Sequence, residues 1–196
     1  AQPEPGWEER AARSLAATSE AAEAAALWEA QVRLYFRAED GTFQARCMGM
    51  EWPVGFEYDP HPVVPASSLA QRFRRTFMEV FDMHRGPWKA LMVRAPARAG
   101  GVRLCKETCA LLGLIPVVLD GASLTSGDTF WRRATTAAKS TSGGVLAVMV
   151  IAEANKAKKA SLDACVDACR EKQVALCLVY DPAVPADFSV PGCTGS

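Results

Sequence analysis

The sequence predicts an α/β fold: a parallel sheet of about four strands with helices on both faces, preceded by a long N-terminal helix and a Pro-rich extended connector. Between Lys89 and Tyr180, short apolar runs alternate three times with amphipathic stretches of helix length. Strand–helix–strand repeats of that kind mean parallel strands, right-handed crossovers and a sheet covered on both faces. Before Ser67 the composition differs, first Ala- and Glu-rich, then Pro-rich.

Residues 1–8, with Pro3, Pro5 and Gly6, read as a loose tail. Residues 9–37 read as one helix with Leu15, Ala22, Ala26 and Val32 among its apolar positions; Trp28, Leu34, Tyr35 and Phe36 load its C-terminal end. Ala and Glu give strong helix propensity. The apolar face is thin, so stabilisation has to come from packing, on the chain's own domain or on a partner. Residues 38–65 form the connector. Asp40-Gly41 marks a turn, and Thr42 to Met50 suits a short strand or hairpin arm. Pro53, Pro60, Pro62 and Pro65 then keep the chain extended. Carrying Trp52, Phe56 and Tyr58, this stretch either wraps a neighbouring surface or lies across its own sheet.

The main domain spans 66–188, with a tail at 189–196. Ser67 or Ser68 caps a helix bearing Leu69, Phe73, Phe77 and Val80/Phe81 at helical spacing. Arg72, Arg74, Arg75 and Arg85 make this region basic, which suits a solvated helix face better than a nucleic-acid patch. Strands are expected near 89–94, 115–119, 145–151 and 174–180, and helices near 101–113, 128–140 and 159–172. Gly113 fits a helix C-cap, and Gly143-Gly144 closes the helix before the third strand. Lys156, Lys158 and Lys159 form a solvated basic turn.

At 196 residues the chain is one domain plus an extension, long enough for a real core. Its formal net charge is zero. That removes any global electrostatic case for nucleic acid or an anionic membrane. It also gives little colloidal protection, which fits a chain inside an assembly. The longest apolar run, Val145 to Ala152, falls far short of the ~18–20 residues of a membrane span. Residues 1–20 lack the apolar core of a signal peptide. The chain starts at Ala1 rather than Met, and an upstream segment removed in processing would account for that.

The seven cysteines are an odd number. Cys105/Cys109 and Cys165/Cys169 are i,i+4 pairs, each on one helix face. A four-cysteine metal site or helix-linking disulfides are one reading; small buried residues between helices and sheet are the other. The second is expected, because zinc motifs use C-x₂-C knuckles in loops. Reduced thiols point to a reducing compartment. Taken with a trimmed N-terminus, that suggests an organelle matrix, the mitochondrion. His61 lies between two prolines and His84 has no ligand-type neighbours, so neither earns a catalytic role.

One segment carries chemistry by its form. Ala95-Pro96-Ala97-Arg98-Ala99-Gly100-Gly101-Val102 lies between an apolar run and a helix-compatible stretch. That is the strand–loop–helix setting of a G-x-x-x-x-G-K-[ST] phosphate loop. There the backbone N–H groups cradle phosphates, Lys reaches the β/γ-phosphates and the hydroxyl binds Mg²⁺. Leu114 to Leu119 with Asp120-Gly121-Ala122-Ser123-Leu124, Phe130-Trp131-Arg132-Arg133 through Lys139, Val145 to Ile151 with Ala152-Glu153, and Val174 to Pro182 follow in order. Over residues 62–188 this series resembles the AAA-type P-loop ATPases: phosphate loop, second strand, a helix like R-x-x-F-x-x-A, Walker B strand and sensor-1 strand. The resemblance implies a three-layer P-loop sandwich.

The departures from that family all remove chemistry. Ala95 takes the first glycine's place, Gly101 the Lys position and Val102 the hydroxyl position. Ala152 replaces the metal-associated Asp, although Glu153 keeps the position of the water-activating Glu. Tyr180 or Asp181 stands for the sensor Asn, and no fifth strand, arginine finger or helical lid is expected. Phosphoryl transfer rests on positioning and charge neutralisation, so hydrolysis should be lost, with no cofactor and no metal. The expectation is a pseudo-ATPase serving as a structural or accessory subunit of a larger assembly. Partner subunits would dock on the N-terminal helix (Trp28, Tyr35, Phe36) and the connector (Trp52, Phe56, Tyr58). The alternative is an atypical nucleotide-binding enzyme in which Arg94, Arg98 or Arg103 replaces the Lys, aided by the amides that open the 101–113 helix. If the fifth strand is missing, the 89–94 strand has an open edge that residues 38–60, the 183–196 tail or a partner must cover, with Trp52, Phe56 and Phe188 as apolar cover.

Overall fold

The computed structural model describes residues 19–54, 67–81, 88–124, 133, 147–184 and 193–195. A helix over residues 19–29 (α1) leads into a three-stranded antiparallel meander, β1 (Arg33–Arg37), β2 (Thr42–Cys47) and β3 (Met50–Val54). Helix α2 (Ser68–Phe81) precedes a second sheet built from β4 (Ala90–Arg94), β5 (Ile115–Asp120), β6 (Ala147–Ala152), β7 (Ala175–Tyr180) and β8 (Cys193–Gly195). Its order is β5-β6-β7-β4-β8 and every pairing is parallel. Helix α3 (Gly101–Leu111) joins β4 to β5, and α4 (Lys159–Glu171) joins β6 to β7.

The alternating side chains of β4, β6 and β7 feed two separate cores. Leu91, Val93, Val148, Val150, Cys177 and Val179 point to one face, under α2, α3 and the meander residues Ala45, Cys47 and Trp52. Ala90, Met149, Ile151, Leu176 and Leu178 point to the other, under Leu162, Cys165, Val166 and Cys169 of α4. The sheet is therefore buried on both faces, as the sequence leads one to expect for parallel strands. Gly113, at φ 67°, ends α3, and the Leu114 N–H bonds back to the Cys109 carbonyl at 2.8 Å. The Ser67 hydroxyl accepts the Ala70 N–H at 3.1 Å and caps α2.

Four expectations need correction. The helix expected over 9–37 stops at residue 29, and Arg33–Arg37 is a strand; residues 9–18 lie outside the described residues. Arg33-Leu34-Tyr35-Phe36-Arg37 is rich in aromatic residues, which suit a strand, and the turn at Asp40-Gly41 folds it onto β2 in register Tyr35↔Gln44. Within the connector expected at 38–65, Thr42–Cys47 is a strand as expected over 42–50, but Met50–Val54, expected as extended connector, is a second strand, with Pro53 tolerated at the sheet edge. Arg74 is not solvated: it is 6% exposed. Lastly, a fifth strand does exist. β8, from the C-terminal tail, pairs with β4 through Ala90↔Cys193 and so covers the edge opposite β7. Trp52 is buried beneath the meander rather than placed over that edge. Phe56, Tyr58, Phe188, Gly143-Gly144 and nearly all of the helix expected at 128–140 lie outside the described residues.

Candidate functional site

The chain leaves β4 through α3 on one face and travels to β5 at the far edge. It then returns strand by strand to β7, with α4 on the opposite face. Connections therefore diverge between β4 and β7, and in open parallel sheets the crevice at the carboxyl ends of such strands is the usual ligand site. A cleft of about 1070 Å³ lies there. The β4–α3 loop, the α3 residues Arg103, Lys106 and Glu107, the turn after β6 (Glu153, Asn155, Lys156) and the end of β7 (Tyr180, Asp181) line it.

The loop itself is held by its own chain. The Ala95 N–H donates to the Tyr180 carbonyl at 3.0 Å, extending the β4–β7 ladder by one bond. The Ala97 N–H donates to Asp181 Oδ2 at 3.0 Å, and Asp181 Oδ1 accepts the Ala183 N–H at 2.9 Å. A carboxylate thus occupies a backbone donor of the loop. Gly100, at φ 85°, turns the chain into α3. Gly101 lies so close to its surroundings that a Cβ there would sit 2.5 Å from Ala95 Cβ and 3.1 Å from Val179 Cγ1. The position that the resemblance assigns to the phosphate-binding Lys has no room for a side chain.

The second half of the expected site is also diverted. Ala152 ends β6 opposite Asp120 and offers no ligand. Glu153 follows in left-handed backbone, φ 49°, and its Oε2 bonds Lys156 Nζ at 2.7 Å. That hydrogen bond, with the Glu153 charge, raises the Lys156 pKa. Gly121 packs against the Glu153 and Ala152 carbonyls, so the β5 exit lies close against the end of β6. Of the Arg residues considered as substitutes for Lys, Arg98 and Arg103 line the cleft and Arg94 does not. Arg103 Nε is bound to Glu107 Oε1 at 2.7 Å. Ala95, Pro96, Gly100, Gly101, Val102 and Glu153 are brought together around the cleft; Ala152 lies at the end of β6 but is not among its lining residues. Gly101 and Val102 stand where the family has its Lys and hydroxyl, and the charged residues that line the cleft are Arg98, Arg103, Lys106 and Lys156 together with Glu107, Glu153 and Asp181.

Sequence reasoning missed three features here. Asp181 reaches Ala97 across 84 positions. Glu107, 8% exposed, is paired with Arg103, and its charge partly compensates the burial that lowers the Arg74 guanidinium pKa. The i,i+3 spacing of Glu153 and Lys156 was the one visible signal of their ion pair. Beneath the loop, the Cys105, Cys109 and Cys177 thiols are buried and free, and so are Cys47, Cys165 and Cys169. Burial, followed by the hydrogen bond with Cys105, raises the Cys177 pKa; burial raises that of Cys109; the hydrogen bond with Cys169 and burial raise that of Cys165. Among the described residues no cluster of three or more His, Cys, Asp or Glu could hold a metal, and no helix is long and apolar enough to cross a membrane.

No known family model matches the chain, and no curated protein matches it significantly.

Proposed function

We propose that this chain is a non-catalytic structural or accessory subunit of a larger protein assembly, built on an inactivated AAA-type ATPase fold. The closure of the phosphate loop carries the reading: Gly101 packs on Ala95 and Val179, and the Ala97 N–H is given to Asp181. Strand order supports the ancestry, because β4, read as the family's first strand, lies between β7, read as its fourth, and β8 in the fifth place. Support for a partner comes from apolar groups left in water. Leu27, Trp28, Leu34 and Phe36 are 62, 56, 48 and 59% exposed. Such a concentration of large exposed apolar residues marks interaction surfaces. Of the aromatic residues expected to dock, Trp28 and Phe36 remain available, Tyr35 is half-buried, and Trp52 is enclosed in the core.

Calorimetric titration with Mg-ATP tests the loss of chemistry, and the expected result is no heat and no thermal stabilisation. Micromolar binding, or turnover abolished by Glu153→Gln, overturns it. Co-purification from the native source, with partners identified by mass spectrometry, tests the subunit role. A chain that stays alone at native concentration would remove that half of the reading.

A further inference from the structure

We infer that the cleft at the carboxyl ends of β4 and β7 takes an acidic, extended peptide segment of a partner subunit. This rests on the subunit reading above. The three carboxylates around the cleft are already engaged. Glu153 is bonded to Lys156 and Glu107 to Arg103, each at 2.7 Å, and Asp181 accepts the Ala97 and Ala183 N–H groups. Two cations of the lining, Arg98 and Lys106, are exposed and have no ion-pair partner among the described residues. The uncompensated charge is therefore positive, and it stands on two elements, the β4–α3 loop and α3. The backbone at Arg98 is a second sign. The Ala99 N–H bonds the Pro96 carbonyl at 3.0 Å, and Arg98 fills the third place of that turn at φ 65°. Glycine or asparagine takes that place at least cost. A residue with a side chain persists in left-handed backbone where its surroundings over-determine it, and such residues gather at ligand clamps. Glu153, at φ 49°, is another on the same cleft.

Hydrogen bonding and size favour a peptide over a small acid. Asn155, which lines the cleft, has its side-chain Oδ1 enclosed and unpartnered. A buried acceptor without a donor costs free energy that a ligand N–H recovers. A peptide main chain brings that N–H, and its carbonyl suits the amide nitrogen beside it. Acidic side chains of the same segment reach Lys106 and Arg98, whose guanidinium takes a carboxylate through two parallel N–H bonds. Ala110, Leu114, Pro116 and Val184 offer apolar contact to the residues between them. In an extended segment successive side chains point to opposite sides, so alternation of acid and apolar residues separates the two kinds of contact. At about 1070 Å³ the cleft matches the largest small-ligand pockets, which reach about 1,000 Å³. A lone carboxylic acid would leave most of that space to water.

The test uses the full chain and labelled peptides of about six residues, ~20 Å when extended, in which Leu alternates with Glu, with Gln or with Lys. Fluorescence anisotropy should show the Leu/Glu peptide binding roughly tenfold or more tightly than the Leu/Gln peptide, and the Leu/Lys peptide binding weakest. Lys106→Ala and Asn155→Ala should each weaken Leu/Glu binding severalfold. Lys172→Ala, at the C-terminal end of α4 and outside the cleft, should leave it unchanged. Arg98→Gly separates binding from support: affinity should fall roughly tenfold, while the unfolding midpoint holds or rises, because glycine suits φ 65°. Equal binding of the Leu/Glu and Leu/Gln peptides, or affinity indifferent to the cleft substitutions, overturns the proposal. Displacement of the Leu/Glu peptide by an equal concentration of succinate also overturns it and assigns the cleft to a small organic anion. Displacement by micromolar Mg-ATP overturns it too, and with it the loss of nucleotide binding in the reading above. The other failures leave the subunit role untouched, because identified partners decide that role.

Discussion

Replacing Gly101 by Ala puts a methyl carbon 2.5 Å from Ala95 Cβ and 3.1 Å from Val179 Cγ1. Carbon atoms rest at about 3.5–4.0 Å, so Ala95 must retreat by roughly 1 Å. Its freedom is small. The Ala95 N–H is bonded to Tyr180 at 3.0 Å, and α3 begins one residue after Gly100, whose carbonyl accepts the Leu104 N–H at 2.9 Å. Overpacking of this kind costs about 1–3 kcal/mol, offset by about 0.5–1 kcal/mol from removing a helical glycine. The expected net loss is about 1–2 kcal/mol, a fall in Tm of about 2–8 °C for a chain of this size. Urea unfolding followed by tryptophan fluorescence should show a lower midpoint at unchanged slope. Ala95→Gly in the same chain removes the opposing methyl and should recover about 1 kcal/mol beyond additivity. A Gly101→Ala variant as stable as its parent, or a strictly additive double variant, would refute the packing argument. The functional corollary is sharper. Gly101→Lys with Val102→Thr restores the Lys and hydroxyl letters of a working phosphate loop, though not its first glycine at Ala95, and should bind no Mg-ATP, because the Lys would meet Ala95 and Val179.

Further outcomes follow from the same contacts. Asp181→Ala should cost about 1 kcal/mol and speed hydrogen exchange at the Ala97 amide, whereas Asp181→Asn should keep most of both. Glu107→Ala removes both the Arg103 ion pair and the charge that partly offsets the burial of Arg74, and should lower the denaturant midpoint more than Arg103→Ala, which at a side chain 59% exposed should cost less than about 1 kcal/mol. The raised thiol pKa values of Cys109, Cys165 and Cys177 keep these groups protonated in the folded chain at a pH where unfolded thiols ionise, and that ionisation favours the unfolded state. Their contribution is whole below the unfolded thiol pKa of about 8.5 and is lost as pH rises above it. Stability should therefore fall between about pH 9 and 11, and fall less in a Cys177→Ala variant compared with its own value at pH 7.

Legibility in the sequence tracked how local each determinant is. The strands β4 to β7 and helices α3 and α4 were readable because apolar runs, helical spacing and Gly113 lie within each element. Arg33–Arg37 was not, because the Ala- and Glu-rich stretch before it favours helix and only pairing with β2 selects the strand. β8 is three residues long and contains no apolar run; it is a strand because β4 offers an open edge. Arg74 looked solvated because nothing near it in sequence announces Glu107, 33 positions on, as its counter-charge. At the site, the missing chemical groups were readable one by one. What replaced them was not, since the Asp181 bond to Ala97 and the contact of Gly101 with Val179 exist only after folding.

Gly101 shows why the frame can outlast its chemistry. The core that holds β4, β6 and β7 together is made by their alternating apolar side chains, and the loop ends contribute little to it. Side-chain changes at those ends therefore leave the fold in place. The glycines behave differently. Gly100 holds positive φ to start α3, and Gly101 lets the helix approach Ala95 and Val179, so both are demanded by packing whether or not a phosphate is present. A glycine pair at a strand-to-helix turn is for that reason weak testimony to ligand binding. The polar positions beside it, where Val102 and Ala152 stand, carry the functional information.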